Sequence, residues 1–282
     1  MTLRELAAEA ESALRAGPHP ERARLDADTL LLHLLKENRA WLLTHRDDEV
    51  SPKLRDEMNR LIERRCHGEP LQYITGEAEF YRLPFHVEPG VLIPRPETEH
   101  LVEEVLRLMS GIVAPRIADV GTGSGAIAVA LAHTLPLAQV VATDISPQAL
   151  SIARGNAARN HVAGRIEFLH GDLLVPLAGR SFSVIASNPP YIPLRDRDSL
   201  SVEVRDHEPH SALFAGEDGL DIYRRLIHDA WNLLVPGGWL VMEIGYGQQP
   251  AIEELLRARG FGEIHFVPDY LGIPRVAAGR VC

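Results

Sequence analysis

Four consecutive residues, Asn188-Pro189-Pro190-Tyr191, combine types whose chemistry is unusual at the end of an apolar run. Asn188 offers a side-chain carbonyl oxygen. Pro189 and Pro190 have no N–H and a fixed φ, so the Pro189 carbonyl lies in a stiff segment with few local donors. Two acceptors on one rigid turn suit a planar –NH2 group with two hydrogens to give, and the Tyr191 ring could cover the face of such a group. The tetrad reads as a cradle for an amide or an exocyclic amine. The plain alternative is a proline-stiffened turn leaving a strand.

A second constellation lies upstream. Gly121-Thr122-Gly123-Ser124-Gly125 separates the short apolar run ending Asp119-Val120 from a small-residue stretch, Ala126 to Ala132. Strand, Gly-rich turn and helix form the first half of a nucleotide-binding α/β unit. The glycines permit unusual backbone angles and close ligand approach. The next apolar run ends in Asp144, whose carboxylate can accept hydrogen bonds from both hydroxyls of a ribose. The spacing is G-x-G-x-G with Ala126 in the third-glycine place of a dinucleotide fingerprint, and no G-x-x-x-x-G-K-[ST] is present. With Asp144 and the tetrad, S-adenosylmethionine fits better than NAD, because its sulfonium carries a methyl and the tetrad would hold a nitrogen to receive it. Asp119 admits two readings, contact with the cofactor's amino group or organisation of the turn.

These residues need elements to hold them. Strands are expected at 116–120, 140–144, 166–169, 182–187 and 239–244, with helices at 126–132, 147–160, 221–234 and 249–259 and two closing strands near 264–267 and 275–278. The alternation implies an α/β fold with a doubly wound, mostly parallel sheet. Asp119, Asp144, Asp172 and Asn188 then fall at the carboxyl ends of strands, where such sheets bind ligands. Residues 1–73 read as a small helical bundle. Leu25, Asp28, Thr29, Leu32 and Leu35 recur near helical spacing, as do Leu54, Met58, Leu61 and Ile62, and Ser51-Pro52 reads as an N-cap followed by the first helical position. Residues 74–91 read as an extended connector or hairpin, and 92–282 as the catalytic domain.

The composition is that of an ordinary globular protein: 282 residues, 45% hydrophobic, 24% charged. No apolar run is long enough to span a bilayer, and the N-terminal residues read as an amphipathic helix with no signal-peptide pattern. Cys66 and Cys282 fit no metal spacing, and reduced thiols in a cytoplasmic protein are the simplest reading. The net charge of −10 argues against stable nucleic-acid binding, which needs a positive surface.

Over nearly its whole length the chain resembles the HemK/PrmC family of peptide chain release factor glutamine methyltransferases. The resemblance rests on the segment from Gly68 to Gly76, Leu92-Ile93-Pro94-Arg95-Pro96-Glu97-Thr98-Glu99, the turn Gly121 to Gly125, and Ser187 to Pro193. It continues in Glu203-Val204-Arg205-Asp206-His207-Glu208-Pro209, Pro236-Gly237-Gly238-Trp239 and Glu243-Ile244-Gly245. It implies a class I S-adenosylmethionine methyltransferase fold, S-adenosylmethionine as cofactor and no metal. The implied target is the glutamine of a Gly-Gly-Gln motif in class I release factors. The helical domain reads as the part that recognises this protein partner, a mere scaffold being the plain alternative. Asn188, Pro189, Pro190 and Tyr191 would be catalytic. Asp144 would hold the ribose, Asp172 and the Leu173 backbone the adenine, and Gly121, Gly123 and Gly125 the methionyl part, with Thr122, Ser124 and Asn188 beside them. A departure is Arg82, where the family more often carries a small residue.

Other residues have duller readings. Arg95 and Glu97 form either a structural ion pair or a cofactor contact, and Glu99 is a solvated helix residue. His207, Glu208 and His210 resemble a metal cluster, but without other spaced ligands they read as ordering the loop after the tetrad. Glu243, in an apolar strand, needs hydrogen-bond partners. Two other functions share some of these features. A DNA amino-methyltransferase shares the tetrad but needs a basic groove and base flipping. A non-catalytic nucleotide sensor would leave the tetrad idle.

Overall fold

The computed structural model describes residues 1–282. Residues Met1–Gly76 and Leu200–His207 form one compact unit, and Glu77–Ser199 with Glu208–Cys282 form a second.

The first unit starts with α1 (Leu3–Leu14), opened by a capping box. Thr2 Oγ1 accepts from the Glu5 N–H at 3.3 Å while Glu5 Oε2 accepts from the Thr2 N–H at 2.8 Å. Leu3, Leu6, Ala10 and Leu14 form its buried stripe. Next come α2 (Ala23–Leu35), α3 (Arg39–Thr44), α4 (Pro52–Cys66) and α5 (Leu71–Thr75). Ser51 caps α4 and Pro52 takes its first position, as the sequence predicts. The face of α2 differs from expectation: Leu25 is 55% exposed, and Ala23, Asp26, Ala27, Leu30 and Leu31 are buried instead. Asp26 turns inward because Arg65 of α4 donates to it at 2.7 Å, both side chains being almost wholly buried. A carboxylate on the inner face hides that face from a hydrophobic periodicity.

In the second unit, β1 (Glu77–Phe80) and β2 (Leu83–His86) form an antiparallel hairpin. Tyr81 and Arg82 make its two-residue turn, both at positive φ (51° and 60°), the geometry that suits the strand twist of hairpins. Glu99, expected in solvent, accepts from the Tyr81 N–H at 2.8 Å. The hairpin that the sequence suggests within 74–91 is present and lies in this unit. Asn156 trades hydrogen bonds with the backbone of His86 at 2.7 and 2.9 Å, and Asn160 donates to the Pro84 carbonyl at 2.9 Å.

After the hairpin come α6 (Glu99–Leu108), β3 (Arg116–Val120), α7 (Ala126–Thr134), β4 (Gln139–Asp144), α8 (Pro147–Arg159), β5 (Ile166–His170) and β6 (Phe182–Ser187). The chain then gives α9 (Val202–His207), which lies in the first unit, where Glu203 pairs with Arg65. It closes with α10 (Asp221–Ala230), β7 (Leu234–Glu243), α11 (Gln249–Arg259), β8 (Gly262–Pro268) and β9 (Pro274–Arg280). The sheet order is β5-β4-β3-β6-β7-β9-β8, parallel through β7 and antiparallel in its last two pairings. Alternate residues of each strand face two cores. Ile117, Val184 and Val241 meet α6 and α7, while Ala118, Ile185 and Leu240 meet α10 and α11. Strands covered on both faces read as continuous apolar runs. The order reverses between β3 and β6, which leaves a crevice at their carboxyl ends.

Candidate active site

The turn after β3 sits at that reversal. Gly121, Gly123 and Gly125 all have positive φ (74°, 55° and 84°). A Cβ on Gly121 or Gly123 would meet nothing, so backbone angle is what demands glycine there. A Cβ on Gly125 would lie 3.0 Å from the Cβ of Ala153, so this glycine lets α8 approach. Asp119 is buried behind the turn, and its Oδ2 accepts from Thr122 Oγ1 at 2.6 Å and from the Ala128 N–H at 3.1 Å. These bonds fit the turn-organising reading. Burial pushes its carboxyl up to about 7 against the pull of the two hydrogen bonds. Its Oδ1 has no protein partner. Thr122 and Ser124 are buried, the first on Asp119 and the second with its carbonyl on Asn156. Gly121 and Gly123, and neither of these two, line the cavity.

That cavity has a volume of about 250 Å³ and is also lined by Asp144, Asp172, Leu173, Asn188 and Pro190. Asp144 is held by two backbone amides: Oδ2 accepts from Gly123 and Oδ1 from Ser146, both at 2.8 Å. Asp172 pairs with Arg225 of α10. Leu173 is at positive φ (46°), and its carbonyl accepts from Thr143 Oγ1 at 2.9 Å.

The tetrad leaves β6 on the other side. Ser187 Oγ donates to the Val120 carbonyl at 2.7 Å and ties the two strand ends together. Asn188 Nδ2 donates to Thr98 Oγ1 at 3.1 Å, and Thr98 Oγ1 donates to Glu243 Oε2 at 2.5 Å. Tyr191 OH donates to Glu243 Oε1 at 3.3 Å, and the Tyr191 carbonyl accepts from Gln248 Nε2 at 3.0 Å. The Tyr191 ring therefore braces the tetrad through Glu243 and is not among the residues lining the cavity. The Pro189 carbonyl receives no hydrogen bond from the protein. Burial pushes the Glu243 carboxyl up to about 6, opposed by the Thr98 and Tyr191 hydroxyls, and burial also raises the Tyr191 phenol.

Arg95 pairs with Glu208, donating to both carboxylate oxygens at 2.6 Å, and not with Glu97, which is exposed. Glu208 is buried just ahead of Pro209, Ser211 and Ala212, which line the cavity. No group of three or more His, Cys, Asp or Glu is placed to hold a metal ion. Sequence reasoning missed Thr98 and Arg225. A Thr ahead of a helix reads as an N-cap, yet the Thr98 side chain makes no capping bond.

A seven-stranded, mostly parallel sheet with a Gly-rich turn and a cavity at its switch point is the class I methyltransferase fold. The family model described as methyltransferase small domain matches residues 98–203, and the one described as PrmC N-terminal domain matches residues 5–76. The crystal structure of the N-terminal domain of human METTL16 in complex with SAH has this fold: the TM-score is 0.51 at 20% identity, covering 70% of this chain and 75% of that one. Release factor glutamine methyltransferase of Koribacter versatilis is 47% identical over 281 residues, 99% of each chain. That of Moorella thermoacetica is 46% identical over 276 residues, 98% of this chain and 97% of the relative. The chain belongs to the release factor glutamine methyltransferase family, and it is an enzyme.

Proposed function

We propose that this enzyme uses S-adenosylmethionine to methylate the side-chain amide nitrogen of the glutamine in the Gly-Gly-Gln motif of class I peptide chain release factors. One observation carries the reading. The Asn188 amide gives its N–H to Thr98 and the Pro189 carbonyl has no protein donor, so the tetrad keeps two unused acceptors. Asn188 lines the same cavity as Asp144 and the glycine turn.

The residues present fit the cofactor. The Asp144 carboxylate is oriented by two amides and keeps lone pairs for ribose hydroxyls. Gly121 and Gly123 leave the turn open on the cavity side. Asp119 Oδ1 is a buried acceptor without a partner. The Asp172–Arg225 pair is half exposed, and such pairs contribute about 0–1 kcal/mol, so Asp172 can yield to a ligand. When bound, S-adenosylmethionine would supply a methyl activated by its sulfonium and leave as S-adenosylhomocysteine, the amide nitrogen losing one proton after the transfer.

The chain's own residues do the rest. An amide nitrogen is a poor nucleophile because its lone pair is delocalised into the carbonyl. Asn188 Oδ1 and the Pro189 carbonyl each accept one N–H of the glutamine amide, which orients the nitrogen and favours localisation of its lone pair. The same oxygens stabilise the positive charge that develops on nitrogen, the inverse of an oxyanion hole. Pro190 stiffens the turn, and Tyr191 anchors it on Glu243. The helical unit recognises the release factor, in the cytoplasm where translation ends. Stable nucleic-acid binding is not expected at a net charge of −10.

The test mixes the enzyme, S-adenosylmethionine and an unmodified bacterial release factor and maps the product by tandem mass spectrometry. The expected result is one methyl on the Gly-Gly-Gln glutamine. Asn188→Ala is expected to lower turnover by about 100-fold or more with cofactor affinity little changed. No methyl on that glutamine overturns the substrate assignment, and near-normal turnover by Asn188→Ala overturns the role of the tetrad.

A further inference from the structure

We propose that Thr98 and Glu243 are positioning residues that decide which end of the Asn188 amide faces the acceptor, a proposal that rests on the function above. An asparagine amide has two ends of similar size and opposite chemistry. With Oδ1 forward it accepts from a substrate –NH2. With Nδ2 forward it sets donors against donors. Nothing within the side chain prefers one, so the choice is made from behind.

Behind Asn188 lies the hydroxyl of Thr98, 3.1 Å from Nδ2. A hydroxyl can donate or accept, so Thr98 alone chooses nothing. Glu243 makes the choice, with Oε2 2.5 Å from Thr98 Oγ1. A carboxylate accepts only, which commits the single Thr98 proton to Glu243. The Thr98 oxygen then has only lone pairs to offer, and Asn188 can meet them only with Nδ2. Glu243 is itself held at both ends: Tyr191 OH donates to its other carboxylate oxygen, and Tyr223 OH donates to its backbone carbonyl at 2.9 Å. Thr98 is 4% and Glu243 2% exposed, so water does not compete for these bonds.

The cost of the arrangement supports the reading. Glu243 sits between Met242 and Ile244, both fully buried, and the cation that favours its charge, Arg275, is itself paired with Asp269. An apolar side chain would pack there at no desolvation cost. A carboxylate is needed only if its accepting character matters, and the chain Glu243–Thr98–Asn188 ends at the tetrad.

Two Thr98 variants and two readouts test it. Thr98→Val keeps the shape and removes the hydroxyl, whereas Thr98→Ser keeps the hydroxyl. In methyl transfer to the unmodified release factor, Thr98→Val is expected to lower kcat at least ten-fold, with KM and cofactor affinity within two-fold of wild type. Thr98→Ser is expected to recover most of that loss. Side-chain amide NMR of Asn188, assigned by its loss in Asn188→Ala, gives the second readout. One amide proton is expected to be protected from solvent exchange in the wild type and in Thr98→Ser, and to exchange at least ten-fold faster in Thr98→Val. Equal kcat in Thr98→Val and wild type overturns the proposal. So does a loss in Thr98→Ser as large as in Thr98→Val, which would mark a packing role. If the wild type transfers no methyl to the release factor, the proposed substrate fails while the amide signal still decides the relay: unchanged exchange in Thr98→Val overturns it.

Discussion

Two carboxyl groups near the site are buried, and each is expected to give the protein a pH dependence of its own. Glu243, pushed up to about 6 by burial, is opposed by the Thr98 and Tyr191 hydroxyls. Of the charged groups around it, Glu97 disfavours its ionisation and Arg275 favours it, and the phenols of Tyr191 and Tyr223 face it as neutral donors. Protonation frees Thr98 to donate to Asn188, so kcat is expected to fall as pH drops through about 6. Glu243→Gln offers Thr98 an acceptor that does not titrate. Its kcat profile should lose that acid limb, and an unchanged limb would assign the limb to another group. Asp119, fully buried, is raised from 3.8 to about 7. Its folded value lies above its unfolded one, so its contribution to stability is complete below about 4 and is lost as pH rises through about 7. Asp119→Asn keeps the acceptor for Thr122 and Ala128. The ligand-free variant should gain stability over wild type as pH rises from about 5 to 8, by a few kcal/mol at most, and a pH-independent difference in Tm would refute this. Asn188, Asp144 and the glycine turn were legible because each signal is contiguous or ends a strand. Thr98 and Glu243 are not legible as a pair, because they meet across 145 residues of chain.

Among the elements, the hairpin turn carries an avoidable strain. Arg82 has φ of 60°, and a side chain in the left-handed region costs about 1–2 kcal/mol. Its conformation also explains why a small residue suits the position. Arg82→Gly is expected to raise stability by up to about 1 kcal/mol, part of the relief being offset by the greater unfolded-state freedom of glycine, with turnover unchanged. Thermal unfolding checks this, and a lower Tm would mean that Arg82 makes a contribution outweighing its backbone strain. The same limits of local reading appear elsewhere. The sequence predicts a helix at 221–234, but α10 ends at Ala230 and β7 already begins at Leu234, ahead of Pro236-Gly237-Gly238. Breaker residues mark a strand end in isolation, and here pairing overrides them, since Phe182 lies opposite Leu234 across a register shift. The parallel order itself was legible, because strands covered on both faces leave continuous apolar runs between helical stretches.

On the scale of the whole molecule, the hydrophobic residues of the helical unit form a cluster of their own, distinct from the two that sandwich the sheet. The sequence shows this division as a change from helical stripes to alternating strands and helices. It does not show that residues 200–207, far along the chain, belong to the helical unit. Charges distant in sequence meet there: Arg65 contacts Asp26 on one side and Glu203 on the other. No other charged side chain in the unit is as fully enclosed as these two partners, Arg65 and Asp26. Removing one member of a buried pair costs about 3–5 kcal/mol, and Arg22, 3.7 Å from Asp26 and partly exposed, is only a weak substitute for Arg65. Arg65→Ala should therefore loosen the helical unit selectively. In hydrogen exchange on the full chain, amides of α2 and α4 that exchange through opening of this unit should speed up by about 100-fold or more. Amides of β3 and β6, which lie in a different core, should exchange as in the wild type. Equal acceleration in β3 and β6 would mean that the cores open as one cooperative body. Unchanged exchange in α2 and α4 would mean that the Arg65 pairs contribute nothing net to the fold.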